Sequence, residues 1–261
     1  MPKYSANLSM LFTERDFLDR FEAAAKAGFA AVEYLGPYDF PKGEVAARLK
    51  ANSLKQILFN LPAGDWAKGE RGIACHPDRV AEFRDGVARA IDYAHALGCP
   101  TINCLAGIRG PSVSVADAHR TLVDNLRYAA GQMQREGILL IAEPINHFAI
   151  LGFFLNYSAQ TLKILDEAGS DNLKLQYDIY HMQRMEGELA ATMEKHLKRI
   201  GHIQIAGNPG RNEPDIGEIN YPYLMQRLDA LGYEGWVGAE YKPKGRTEDG
   251  LGWLRAWGGK A

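Results

Sequence analysis

One local pattern recurs down the chain and restricts its fold more than any other feature: an amphipathic helix, a glycine, then a short apolar strand. The glycines are Gly28, Gly98, Gly137, Gly169, Gly201 and Gly232, each placed where a helix C-cap asks for a residue that tolerates positive φ. Strands are predicted after them from Ala31 to Tyr34, Thr101 to Cys104, Leu139 to Glu143, Leu173 to Asp178, Ile203 to Ile205 and Trp236 to Glu240. Two more are read from Tyr4 to Leu8 and from Leu54 to Leu61, which makes eight.

The intervening segments carry helical periodicity. Val80, Phe83, Val87, Ile91, Ala94 and Leu97 recur at steps of three or four, one face of a helix. Phe17, Phe21 and Ala24 form a shorter stripe, and Ser114 with Asp117 resembles a capping pair ahead of Ala118, Leu122, Leu126 and Met133. Alternating apolar strands and helices imply a parallel sheet covered by helices. An open doubly wound sheet shares that alternation. Eight units in 261 residues favour closure into a (β/α)8 TIM barrel, a fold that runs to about 250 residues. The expectation is an α/β protein with one barrel domain over residues 1–261. The irregular stretches 64–77, 144–157 and 206–220 all follow strands, so all three belong to the barrel's functional face.

Four of the strands end on a residue with an oxygen ligand: Glu143 after Leu139-Leu-Ile-Ala, Asp178 after Leu173-Lys-Leu-Gln-Tyr, Gln204 in Gly201-His-Ile-Gln, and Glu240 after Gly235-Trp-Val-Gly-Ala. Taken singly, each carboxylate also reads as a helix cap or a solvated loop residue, and Gln204 as a hydrogen bond within a barrel layer. Their shared register carries the functional reading, because a parallel barrel gathers its strand ends on one face. Three converging carboxylates repel one another, and a divalent cation keeps them ionised. Oxygen donors with no histidine or thiolate among them suit Mg²⁺ first and Mn²⁺ second. His181, three residues after Asp178, reads as a substrate-orienting or a structural residue; His147 and His202 read as structural. Arg71 and Lys242 are the candidate anchors for a substrate carboxylate, with an Arg71 salt bridge to Glu70 or Asp65 as the plainer alternative.

The formal net charge of −2 gives no electrostatic ground for binding nucleic acid or an anionic membrane. No window approaches the roughly 18 apolar residues of a membrane span, and the first ten residues lack a signal-peptide stretch, so the cytoplasm is the expected compartment. Cys75, Cys99 and Cys104 include no CxxC pair and read as reduced thiols. There is no GxGxxG, P-loop or GxSxG to anchor a nucleotide or serine-hydrolase reading. Two carboxylates beside a divalent ion suit the movement of a proton between adjacent carbons through an enediolate. The reaction class is aldose–ketose isomerisation or epimerisation of a small hydroxy-oxo compound.

Longer stretches make the reading more specific: Ser5-Ala-Asn-Leu-Ser-Met-Leu-Phe12, Asn60-Leu-Pro-Ala-Gly-Asp-Trp66, Gly69-Glu-Arg-Gly-Ile-Ala74, Glu143-Pro-Ile-Asn-His147, Gln176-Tyr-Asp-Ile-Tyr-His181 onward to Gly187, Gly217-Glu-Ile-Asn-Tyr221 and Gly238-Ala-Glu-Tyr-Lys-Pro243. Nearly end to end, the chain resembles the hydroxypyruvate isomerases of the xylose-isomerase-like barrel superfamily, a family that includes 2-oxo-tetronate isomerases. The resemblance implies interconversion of hydroxypyruvate and 2-hydroxy-3-oxopropanoate, with the four-carbon oxo acids or a ketose 3-epimerisation as alternatives. It implies Glu143 and Glu240 as the proton-transferring pair, Gln204 where related epimerases place a histidine ligand, and His181 as a substrate contact. Phe59 departs from the histidine of close relatives; if it faces the site, it bears on substrate preference. Rival readings are a dehydratase, a metal-dependent endonuclease and a non-catalytic metabolite-binding barrel.

Overall fold

The computed structural model describes residues 2–258. Eight parallel strands close into a barrel in sequence order: β1 (Lys3–Asn7), β2 (Ala31–Tyr34), β3 (Lys55–Asn60), β4 (Thr101–Cys104), β5 (Leu139–Ala142), β6 (Leu173–Asp178), β7 (Ile200–Ile205) and β8 (Trp236–Ala239). Closure is made by β1 on β8, with Lys3 opposite Trp236 and Ala6 opposite Ala239. The helices are α1 (Phe17–Lys26), α2 (Lys42–Ala51), α3 (Val80–Leu97), α4 (Val115–Arg135), α5 (Ser158–Ala168), α6 (Ile179–Met185), α7 (Leu189–His196), α8 (Tyr221–Ala230) and α9 (Gly252–Ala256). Among the described residues no helix is long and apolar enough to cross a membrane.

The core between strands and helices follows the sequence stripes. Phe83, Val87, Ala94 and Leu97 of α3 are buried, as are Ala118, Leu122, Leu126 and Met133 of α4. Ser114 Oγ accepts from the Asp117 backbone N–H and caps α4 as expected. Gly98 and Gly169 are left-handed C-caps, and Gly28, Gly137 and Gly232 also have positive φ.

Gly201 does not follow that expectation. It lies inside β7, which begins at Ile200, and it is not among the positive-φ glycines. A Cβ there would meet Ile141 Cγ2 at 2.7 Å and Leu139 Cδ2 at 3.1 Å, so the glycine is needed for close approach inside the barrel. The small apolar layer there contains Ala31, Ile57, Leu58 and Ile141, with Leu139 and Trp236 against it. Above this layer the interior turns polar: Ser5, Asn7, Glu33, Asn60, Asn103, Gln176, Asp178, His202 and Gln204 are all buried. The barrel is thus plugged by side chains at one end and chemically equipped at the other.

Candidate active site

A cavity of about 620 Å³ opens where the strands end; Asn60, Glu143, His181, Arg184, Arg211 and Glu240 are among its lining residues. Glu143 and Glu240 each stand one residue past a strand, at the ends of β5 and β8. Each is steadied by an asparagine of the neighbouring strand. Asn103 Nδ2 donates to Glu143 Oε2 at 3.2 Å, and Asn7 Nδ2 donates to Glu240 Oε1 at 3.2 Å. Asp178 ends β6 and caps α6, its Oδ1 accepting from the backbone N–H of Tyr180 at 2.8 Å and of His181 at 3.4 Å.

That cap turns the first turn of α6 over the strand ends and brings His181 into the site. His181 Nε2 is 3.4 Å from Asp178 Oδ2 and 3.8 Å from Glu143 Oε1. One ligand-type atom from each of Glu143, Asp178 and His181 falls within 4.8 Å of the others. All three residues are buried.

Arg211, in the loop after β7, projects its guanidinium between the carboxylates. Its Nη2 is 2.6 Å from Glu240 Oε2 and 3.4 Å from Asp178 Oδ2, and its charge lies 5.3 Å from the Tyr180 ring centre. One cation does not satisfy three buried anions. Burial, then the charges of Glu240 and Asp178, push the Glu143 carboxyl well above its ordinary range. Burial raises Asp178 against the opposing pull of Arg211. Burial likewise pushes Glu240 up to about 8, against Arg211, with Asp178 and Glu33 adding their repulsion. His181 moves the other way: burial first, then Arg211 and Arg184, hold its imidazole well below the usual range.

Beneath this layer Glu33, from β2, has the opposite character. Burial works to raise its carboxyl, but the adjacent His202 and the hydrogen bonds it receives outweigh burial and hold it below the ordinary value. His202 Nε2 is 2.9 Å away, Ser5 Oγ donates at 2.9 Å and Gln204 Nε2 donates at 2.7 Å. Gln204 is therefore engaged at both ends, since its Oε1 accepts from Gln176 Nε2 at 2.6 Å.

Of the residues expected from sequence, Glu143, Glu240, His181, Arg71 and Lys242 line the cavity; Asp178 lies buried against His181 and Arg211, and Gln204 within the polar layer. Arg71 makes neither expected salt bridge. Asp65 pairs with Lys68 at 2.9 Å and Glu70 with Arg79 at 2.6 Å. The Arg71 guanidinium stacks 3.8 Å from the Trp66 ring centre and donates to the carbonyls of Trp66 and Glu70. Lys242 is exposed at the rim. His147 is exposed beside Phe148, 4.2 Å between ring centres. Phe59 does not face the cavity; it is fully buried on the helix side, edge-on to Tyr38 at 6.0 Å. Sequence reasoning missed Arg211, Arg184, Asn146 and the lower layer around Glu33. Asn7 and Asn103 were within reach, because each is a polar residue near the end of an apolar strand. Arg184 and Arg211 follow no periodic pattern that marks them.

Comparison with known proteins agrees with this architecture. The model of the xylose isomerase-like TIM barrel family matches residues 21–257. The hydroxypyruvate isomerase of Escherichia coli K12 is 58% identical over 254 residues, covering 97% of this chain and 98% of that protein. The 2-oxo-tetronate isomerase of Cupriavidus necator is 47% identical over 260 residues, covering 100% of both. A crystal structure described as an AP endonuclease, family 2, from Brucella melitensis superposes with a TM-score of 0.96 at 44% identity, covering 98% of this chain and 99% of that one. With its closed barrel, its polar mouth and these relatives over its full length, the chain belongs to the xylose isomerase-like TIM barrel family and is an isomerase within it.

Proposed function

We propose that this isomerase interconverts hydroxypyruvate and 2-hydroxy-3-oxopropanoate, with Glu143 and Glu240 as the proton-transferring pair. The observation that carries the reading is that both glutamates line one cavity, buried, with both carboxyls raised by burial above the ordinary glutamate range, Glu240 to about 8. One glutamate, ionised, takes a proton from C3 of hydroxypyruvate. The other, protonated, delivers one to C2, while the hydroxyl proton passes from O3 to O2. The pair ends with its protonation reversed and is reset by exchange with solvent. Asn7 and Asn103 hold the two carboxylates in place. Arg71, Arg184, Arg211 and Lys242 line the same cavity, four cations that suit an anionic substrate.

The donor set fits a hard divalent cation, Mg²⁺ or Mn²⁺. Glu143 and Asp178 are carboxylates raised first by burial, Glu143 further by the charges of Glu240 and Asp178 and Asp178 further by that of Glu33, a strain that a cation relieves. We assign Glu143, Asp178 and Glu240 as its ligands, with Gln204 Oε1 as the neutral fourth; that oxygen keeps a lone pair beyond its bond from Gln176. Such an ion, when bound, supplies Lewis-acid stabilisation of negative charge developing on substrate oxygens.

The 58% identity to the three-carbon enzyme against 47% to the four-carbon one supports hydroxypyruvate. A polynucleotide substrate draws less support, since it calls for a basic face and the chain has a formal net charge of −2. The test is proton NMR of the protein with hydroxypyruvate in D₂O, with EDTA and then with Mg²⁺ or Mn²⁺ restored, alongside the 2-oxo-tetronates. Cation-restored formation of 2-hydroxy-3-oxopropanoate is expected. Faster turnover of a four-carbon acid would overturn the substrate, and the absence of any carbon-bound exchange would overturn the mechanism.

A further inference from the structure

The two nitrogens of His181 face different chemistry. Nδ1 lies 2.6 Å from Asn146 Nδ2 and 3.4 Å from the Asn146 backbone nitrogen. Which end of the Asn146 amide points at the ring is decided by its other end. Oδ1 is 2.8 Å from the Ala149 backbone nitrogen and 3.3 Å from Arg184 Nη1, and both of those atoms only donate. The oxygen is therefore fixed away from the ring, and the amide nitrogen faces it. Two N–H groups converge on Nδ1, which must accept. A proton on Nδ1 would set donor against donor in a site where Asn146 and His181 are both buried.

We propose that Asn146 is a positioning residue that locks His181 in the tautomer with its proton on Nε2, making His181 a hydrogen-bond donor to a substrate oxygen and not a cation ligand. A neutral imidazole has one lone pair, and Asn146 occupies it. Ligation through Nε2 at the Glu143–Asp178–His181 cluster needs the opposite tautomer, against both Asn146 donors. Nε2 lies 3.4 Å from Asp178 Oδ2 and 3.8 Å from Glu143 Oε1, in the region where charge develops on a substrate oxygen as the carbon-bound proton leaves. Arg184 braces the arrangement from behind: it donates to the Tyr180 hydroxyl at 3.1 Å and lies 4.7 Å from the Phe148 ring centre. The donor role toward substrate rests on the isomerase reading above; the tautomer does not.

The test is long-range ¹H–¹⁵N NMR of the full chain labelled at its histidine nitrogens, with the His181 signals assigned by their loss in His181→Gln. The wild type is expected to show an unprotonated Nδ1 and a protonated Nε2, and to keep the Nε2–H with Mg²⁺ added. A proton on Nδ1, or an Nε2–H lost on adding Mg²⁺, would overturn the proposal, and both are read on the wild-type protein. Asn146→Asp replaces the facing donor with an acceptor of the same shape. It is expected to move the proton to Nδ1 and lower kcat about 10- to 100-fold with little change in KM. An unchanged tautomer in that variant would overturn the role of Asn146. A wild type inert toward hydroxypyruvate removes the substrate assignment while the tautomer result stands, so the two readings fail separately.

Discussion

The guanidinium of Arg211 meets Glu240 Oε2 at 2.6 Å inside the barrel mouth. It is a positive charge supplied by the chain itself at the place where three carboxylates need one. Removing one partner of a buried pair leaves the other uncompensated and costs about 3–5 kcal/mol. Arg211→Gln is therefore expected to lose on the order of 3 kcal/mol of stability in EDTA, and Mn²⁺ to restore part of it by taking over the same carboxylates. Urea unfolding with and without Mn²⁺ reads both effects. An unfolding midpoint in EDTA equal to wild type would show that the pair contributes nothing net.

The direction of the carboxyl shifts fixes how the cation-free protein responds to pH. Glu143 is raised and Glu240 is pushed up to about 8, whereas an unfolded glutamate titrates near about 4.3. Between those values the folded state holds protons that the unfolded state has released, so stability falls as pH rises. Glu33 works in the opposite sense and elsewhere: its depressed carboxyl stabilises above the ordinary glutamate value, and that contribution is lost only as pH falls below it. In EDTA the Tm is expected to decrease steadily from about pH 5 to about pH 8, and the decrease to be smaller with Mg²⁺ present. A Tm that rises over that interval would contradict the direction assigned to Glu143 and Glu240.

Glu143→Gln and Glu240→Gln each remove a proposed proton carrier while keeping shape and most hydrogen bonds. General acid–base catalysis contributes about 10²- to 10⁴-fold, and each variant is expected to lose at least the lower figure in kcat. Both are expected to fold; in EDTA Glu143→Gln is expected to be no less stable than wild type, because one buried charge has gone, whereas Glu240→Gln also removes the partner of Arg211 and is expected to lose stability. Steady-state kinetics beside circular dichroism separates the two effects. Near-wild-type turnover in either variant would remove that glutamate from the mechanism.

How far the sequence reaches is clear at Glu143, Asp178 and Glu240. Apolar strands leave a polar residue at their ends few roles besides facing the mouth, so period and register suffice to find them. The barrel follows from the same periodicity, with strand limits shifted by one residue at Lys3, Asn7, Lys55, Asn60, Ala142 and Ala239 and by three at Ile200. Arg211 and Asn146 were not legible, because both lie on irregular backbone whose path is set by tertiary contacts. Glu33 was passed over for another reason: within Ala31-Val-Glu-Tyr34 it is a mid-strand charge, and only closure of the barrel brings His202 and Gln204 against it. Gly201 was misread because a glycine before a strand and a glycine inside one look alike until the facing side chains are known.

Gly201 offers a sharp test of that packing. The Cβ added by Gly201→Ala would fall 2.7 Å from Ile141 Cγ2, nearer than carbon atoms approach without displacement. Overfilling a tight interior costs about 1–3 kcal/mol, and a loss of that size is expected in urea denaturation. Cap glycines respond to alanine through backbone strain; this position responds through Ile141. Ile141→Ala removes Cγ2 itself and is expected to cost less stability in the Gly201→Ala background than in the wild type. Strictly additive effects of the two substitutions would exclude the contact as the cause.

Phe59 is the position at which sequence and structure lead to opposite expectations about specificity. As a departure next to Asn60 it suggests an altered substrate preference. Its ring, however, packs against Tyr38 on the helix side of β3, while Asn60 lines the cavity, because successive strand residues face opposite ways. Phe59→His is therefore expected to leave the ratio of kcat/KM for hydroxypyruvate and a four-carbon oxo acid unchanged. Its effect should appear in stability, since an imidazole placed there buries a polar ring, a change that costs about 1–3 kcal/mol. Parallel kinetics on the two acids, with thermal unfolding of the same preparation, decide between the alternatives. A shifted substrate ratio at unaltered stability would mean that the outer face of β3 communicates with the pocket through Tyr38, whose hydroxyl donates to the Asn60 carbonyl at 2.8 Å.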